Sequence, residues 1–149
     1  MSRLPLLAAL AASVAVAAPV PKEIKNARPP LDGTWEVVEY HSRGRLMNNA
    51  TPVKWVIEGE KITILRNNVA AKTRISYSLE KPDGGADDHL DYVLTYPQAD
   101  REKKVNPGVF ELDGDTLRFC WSTRGERPAE CKPDQNNLMY LFKRVEADK

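Results

Sequence analysis

Residues Gly108 to Cys131 read GVFELDGDTLRFCWSTRGERPAEC. Two alternating runs flank Asp113-Gly114-Asp115. Val109, Phe110 and Leu112 lead in, and Leu117, Phe119 and Trp121 lead out. A period of two puts every second side chain on one face of a pleated strand. Asp-Gly between such runs signals a hairpin, because Gly114 can take the positive φ that a tight reversal demands. The same unit of short strand, polar turn and short strand recurs through the chain.

Downstream, Arg124 to Asn137 is a long loop, and Leu138 to Val145 is a last strand whose centre, Met139 to Phe142, is apolar on both faces. Upstream, strands are predicted at Thr34–Tyr40, Val53–Ile57, Lys61–Leu65, Thr73–Leu79 and His89–Tyr96, ahead of Gly108–Leu112 and Thr116–Ser122. Glu58-Gly59-Glu60, Asn67-Asn68 and Lys81 to Gly85 supply turns, and Pro97 to Pro107 reads as a charged loop. No amphipathic helix longer than two turns is evident. Eight short strands separated by turn residues predict an all-β barrel or sandwich. An eight-stranded antiparallel barrel is just wide enough to be filled by side chains or to hold one small ligand. Strict alternation puts Trp35 and Val37 inside, with Val38 and Tyr40 on the opposite face. It also puts Trp55, Ile57, Ile62, Ile64, Ile75, Tyr77, Leu79, Leu90, Tyr92 and Leu94 inside. Phe110, Leu112, Leu117, Phe119, Trp121, Tyr140 and Phe142 complete the inward set.

The opening MSRLPLLAALAASVAVA has a basic residue, Arg3, an apolar run from Leu4 to Val16, and the small-x-small pattern Ala15-Val16-Ala17. This predicts a secretory signal peptide over residues 1–17, since the apolar run is too short to span a bilayer. Residues 18–30, with prolines at 19, 21, 29 and 30, read as a linker, and residues 31–146 as one domain. Cutting after Ala17 removes only Arg3 among charged residues and leaves 21 basic side chains against 21 acidic ones. That balance argues against nucleic acid or an anionic membrane surface as the main partner. Export, periplasmic or extracellular, makes the only two cysteines readable. Cys120 and Cys131 are expected to form a disulfide, worth about 2–3 kcal/mol by loop entropy.

Gly33-Thr34-Trp35 at the head of the first strand resembles the Gly-x-Trp signature of lipocalin-type (calycin) barrels. In those barrels a basic side chain of the last strand packs on the Trp and closes the floor. The resemblance implies Lys143 or Arg144 for that role, and Arg suits such stacking better. The wider layout carries AAPVPKE, LDGTWEVV, IEGEKITI, VFELDGDTLRFC followed by Arg127-Pro128, and a terminal LMYLFKR. It is similar to a planctomycetal family of small exported lipocalin-like proteins without assigned activity, from about Leu31 to Arg144. Cys131 departs from that layout, where an aromatic is expected after Glu130. The departure points to a special role for the cysteine pair.

No constellation for catalysis stands out. There is no Gly-x-Ser-x-Gly elbow, and the neighbours His41 and Ser42 point to opposite faces of an extended chain. Asp83, Asp87, Asp88, His89 and Asp91 crowd one turn, but their spacing does not match a Ca²⁺ loop and they read as a solvated turn. No metal, cofactor or enzymatic activity is therefore expected. Two functions follow from the barrel. One is a binding module holding a small apolar or amphipathic ligand against Trp35, Tyr77, Tyr92, Phe119 and Trp121, with Tyr140 adding to the lining. The other is a solid barrel of the cell envelope that docks a protein partner on the loops Ser42–Pro52 and Arg124–Asn137.

Overall fold

A computed structural model describes residues 30–48, 51–96 and 103–146. The predicted signal peptide, nearly all of the linker and the centre of the Pro97–Pro107 loop lie outside the described residues. The strands are β1 (Gly33–Ser42), β2 (Arg45–Leu46), β3 (Val53–Glu58), β4 (Lys61–Arg66), β5 (Val69–Ala70), β6 (Ser76–Glu80), β7 (Asp91–Thr95), β8 (Lys104–Asn106), β9 (Gly108–Asp113), β10 (Thr116–Ser122) and β11 (Asn137–Arg144). They form one antiparallel sheet, nearly closed into a barrel, in the order β8-β7-β6-β4-β3-β1-β11-β10-β9, with β2 beside β1 and β5 beside β4. The fold is all-β and consistent with a lipocalin-like barrel. It has eleven strands rather than the eight expected.

Each departure has a local cause. β2 and β5 are short returns across tight turns. Arg43 and Gly44 (φ 52° and 75°), and Asn67 and Asn68 (φ 52° and 63°), reverse the chain at positive φ, as two-residue hairpins require. β8 comes from the loop read as Pro97–Pro107 and pairs with β7 through Val93 opposite Val105. The strand expected at Thr73 starts only at Ser76. The Ile75 amide donates instead to the Thr73 hydroxyl at 2.9 Å, a local bond that competes with the sheet ladder. Ile75, counted as inward, is accordingly absent from the core. The strand expected at His89 starts at Asp91, because the His89 amide turns back to the Ala86 carbonyl at 3.0 Å.

The opening hairpin forms as β9-β10, with Asp113 opposite Thr116 and Gly114 at φ +55°. β3-β4 repeats the device with Gly59 at φ +56°. One core cluster runs through the barrel, from Leu31, Trp35, Ile57 and Phe142 to Trp55, Tyr92 and Trp121. The barrel closes where the segment leading into β7 meets β9: the Leu90 amide donates to the Gly108 carbonyl (3.0 Å) and the Phe110 amide to the Asp88 carbonyl (2.9 Å). Glycine is required at this seam. A Cβ on Gly108 would lie 2.6 Å from the Leu90 carbonyl oxygen and 2.7 Å from that of Cys120.

β1 carries a bulge between Val37 and Glu39. One extra residue inverts the parity of everything beyond it. Tyr40 therefore stands directly opposite Tyr140 on the inner face, not outside as strict alternation implied. Val38, the extra residue, is left exposed.

Candidate functional site

The barrel has a sealed end and an open end. At the sealed end Trp35 is fully buried and its indole Nε1–H donates to the Leu31 carbonyl at 2.8 Å. The Arg144 guanidinium lies 4.1 Å from the Trp35 ring centroid, at a distance for cation–π attraction. It donates to the Asp32 carbonyl at 2.8 Å, and its Nε sits 3.3 Å from Asp115 Oδ1. Lys143, the other candidate for this place, is exposed on the outer face opposite Glu36. Gly33 has φ +128°, and a Cβ there would come 3.0 Å from Arg144 Nη1. The Gly-x-Trp spacing thus lets the guanidinium close over the ring.

Inside, aromatic rings are stacked from wall to wall. Tyr77 stacks on Tyr92 (5.9 Å between centroids), Tyr92 meets Trp121 (4.7 Å), Trp121 stacks on Tyr140 (5.0 Å), and Tyr140 meets Tyr40 (4.5 Å). Trp55 backs this row at 5.7 Å from Tyr92 and Tyr140, and Phe142 lies below it at 4.9 Å from Trp55. Such spacings are direct ring contact, so the row is a plug across the barrel.

Burial changes across that plug. Inward residues toward the floor, such as Ile57, Leu79, Leu117, Phe119 and Phe142, are at most 2% exposed. Inward residues at the other end, Val53, Ile64, Tyr77, Leu94, Leu138 and Tyr140, pack on the same core yet stay only partly buried. That end is the mouth. On its flank, β4 and β6 pair only at Lys61–Ser78 and Ile62–Tyr77 and then diverge. The divergence leaves a cleft of about 170 Å³ beside Ile64, Ile75 and Tyr77.

The tyrosine hydroxyls gather at the mouth. Burial lifts the Tyr92 phenol well above its usual range, and the phenols of Tyr77, Tyr140 and Tyr96 reinforce the shift. Burial raises Tyr140 as well, with Tyr40 close enough to hydrogen-bond it, while the nearby Arg66 charge opposes the rise. Arg66 belongs to the inner row of β4 with Ile62 and Ile64, and stands opposite Val53. All five tyrosines of the chain and one guanidinium thus share one end of the barrel.

The expected ligand-lining residues divide. Tyr77 is at the rim, and Tyr92 and Trp121 are buried within the plug. Trp35 belongs to the floor beneath Arg144, and Phe119 is 1% exposed behind Trp121. Neither faces the mouth. Tyr40 and Arg66 were missed, Tyr40 because the bulge reverses its parity. Arg66 was legible from alternation with Ile62 and Ile64, but it lies one residue beyond the strand predicted at Lys61–Leu65.

On the outer face, Val109, Cys120 and Met139 stand in one row across β9, β10 and β11, and Cys131 of the long loop covers them. The expected disulfide is not formed. Cys120 and Cys131 are both buried free thiols, not at bonding distance. Their hydrogen-bond contact, followed by burial, pushes the Cys131 thiol far up. The loop's position has other determinants. Arg127 donates to the Gly108 carbonyl and pairs with Asp91 at 2.7 Å, and Asn137 Nδ2 donates to the Lys132 carbonyl at 3.1 Å. These anchors tie the loop to the barrel seam with the two cysteines packed in one cluster but not joined. Asp91 is thereby drawn out of the acidic turn. Among the described residues no group of histidine, cysteine, aspartate and glutamate is arranged to hold a metal ion.

No protein-family model, curated protein or solved structure matches the chain.

Proposed function

We propose that this protein is an exported binding module that holds a small apolar or amphipathic ligand at the mouth of its barrel, above the aromatic plug. The supporting observation is the gradient in burial. Six inward apolar residues at one end stay partly open to solvent, whereas toward the floor Val37 and Leu112 alone do so among fully buried neighbours. The plug makes the site shallow, so the ligand lies on Tyr77, Tyr140 and Leu138 rather than deep among Trp35 and Phe119. Titration with the uncharged dye N-phenylnaphthylamine tests this. The reading expects saturable fluorescence enhancement that Leu138→Arg abolishes and Leu46→Arg, on the outer face, leaves intact. No saturable enhancement in the wild type would contradict it.

A second reading, a docking surface for an envelope protein, is favoured by one observation. Val38, Leu46 and Met47 are exposed along a groove of about 520 Å³ that runs to Pro52. Under that reading Leu46→Arg removes partner binding and the dye result is negative.

The export and family assignments rest on residues 1–17 and on the layout from Leu31 to Arg144. Sequencing the mature N-terminus from an exporting cell is expected to give Ala18, and an intact Met1 would refute processing. In an oxidising compartment Cys120 and Cys131, which pack in one cluster, are expected to move together and join. Each thiol loses its proton, and the two electrons pass to the disulfide of a thiol–disulfide oxidoreductase, which leaves as a dithiol. The exported protein should then lack two hydrogens by intact mass. Alkylation of both cysteines in unfolded, unreduced protein would show that the bond does not form.

A further inference from the structure

The mouth has a chemical polarity that an apolar ligand alone does not use. Its walls are Val53, Ile64, Leu94 and Leu138. Its polar groups are phenol hydroxyls and a guanidinium, which are hydrogen-bond donors. Arg66 stands in the inner row at the rim, opposite Val53. Among the described residues it forms no ion pair. Among the described residues, β1, β3, β4, β6, β7 and β11 contribute Tyr40, Val53, Ile64, Arg66, Tyr77, Leu94, Leu138 and Tyr140 to the inward face of the mouth, and none of these is a carboxylate. The nearest acidic side chain on β1, Glu39, is exposed on the outer face beside His41.

From this we infer that the ligand is a small amphiphile with a carboxylate head, its apolar body on the Tyr77–Tyr140 side of the plug and its carboxylate on Arg66 and the neighbouring tyrosine hydroxyls. The inference rests on the mouth-binding reading proposed above. A guanidinium offers two parallel N–H donors that match the two carboxylate oxygens, and the apolar walls strengthen that pairing by excluding water. A neutral alcohol of the same shape keeps the apolar contacts and loses the charge-assisted ones. The site therefore discriminates by head group, and the discrimination resides in one side chain.

Calorimetric titration of the whole protein with naphthoate and with naphthylmethanol separates the two claims. The expected result is that naphthoate binds about tenfold more tightly than the alcohol, a margin typical of a charge-assisted pair. Arg66→Gln is expected to bring the two affinities together by weakening naphthoate while leaving the alcohol unchanged. Added salt should erode the preference of the wild type in the same direction. Equal binding of both probes by the wild type, or a carboxylate preference that survives Arg66→Gln, overturns the assignment and leaves the mouth site standing. Binding of neither probe overturns the mouth site and the head-group assignment together.

Discussion

At the residue scale the fold depends on positions where an atom of ordinary size does not fit. Gly108 is pressed between two carbonyl oxygens at the seam, so Gly108→Ala is expected to destabilise by about 3 kcal/mol, the upper range for overpacking a closed site. Urea unfolding measures it, and an unchanged midpoint would mean that the seam is looser than described. Arg144 acts differently. It caps Trp35 and satisfies a backbone carbonyl, so Arg144→Ala should cost about 1–2 kcal/mol and make Trp35 fluorescence accessible to a quencher. Lys143→Ala should do neither. The Gly33–Trp35 spacing was legible because it carries a local requirement, a positive φ beside a stacked ring. The requirement on Gly108 was not, because it arises from Leu90 and Cys120, remote in sequence until the barrel closes.

At the element scale the β1 bulge and the loop anchors decide what the barrel presents. Alternation in β3, β4, β9 and β10 is uninterrupted, so their faces could be read directly from the residues. In β1 the bulge moves Tyr40 to the mouth, and nothing in GTWEVVEYHS marks Val38 as the extra residue. The start of β6 was displaced by a hydroxyl bond from Thr73, a competition that residue periodicity does not register. The long loop was legible as a loop, but its attachment was not, since Asp91 and Arg127 lie far apart in sequence. Both side chains are largely buried, so Arg127→Met should leave an uncompensated carboxylate and cost roughly 3 kcal/mol. The double variant Arg127→Met with Asp91→Leu should recover much of that loss, because the isolated charge is gone. Thermal unfolding of both variants checks this, and a double variant as unstable as the single one would show that packing, not charge, holds the loop.

At the scale of the whole molecule, an aromatic plug divides the barrel into a floor and a mouth, and that division carries the functional proposal. The plug also sets a pH limit. Tyr92 and Tyr140 have phenols raised above the ordinary 10.0 in the folded chain. Above pH 10 the unfolded chain releases those protons and the folded chain retains them, so stability falls as pH rises. Below pH 10 these two groups contribute no slope. Denaturant unfolding across the alkaline range, followed with tyrosinate absorbance, should show stability declining above pH 10 and the last phenols ionising only on unfolding. Early ionisation of all five tyrosines would contradict a buried plug.

The central claim, that the mouth holds a ligand, is tested most directly by native mass spectrometry of the protein purified from cells that export it. A reproducible added mass on the mature chain is expected, lost on denaturation and missing from Leu138→Arg. A bare mature chain for the wild type, with neither naphthoate nor N-phenylnaphthylamine binding on addition, would contradict it and leave the outer groove of β1 as the working surface.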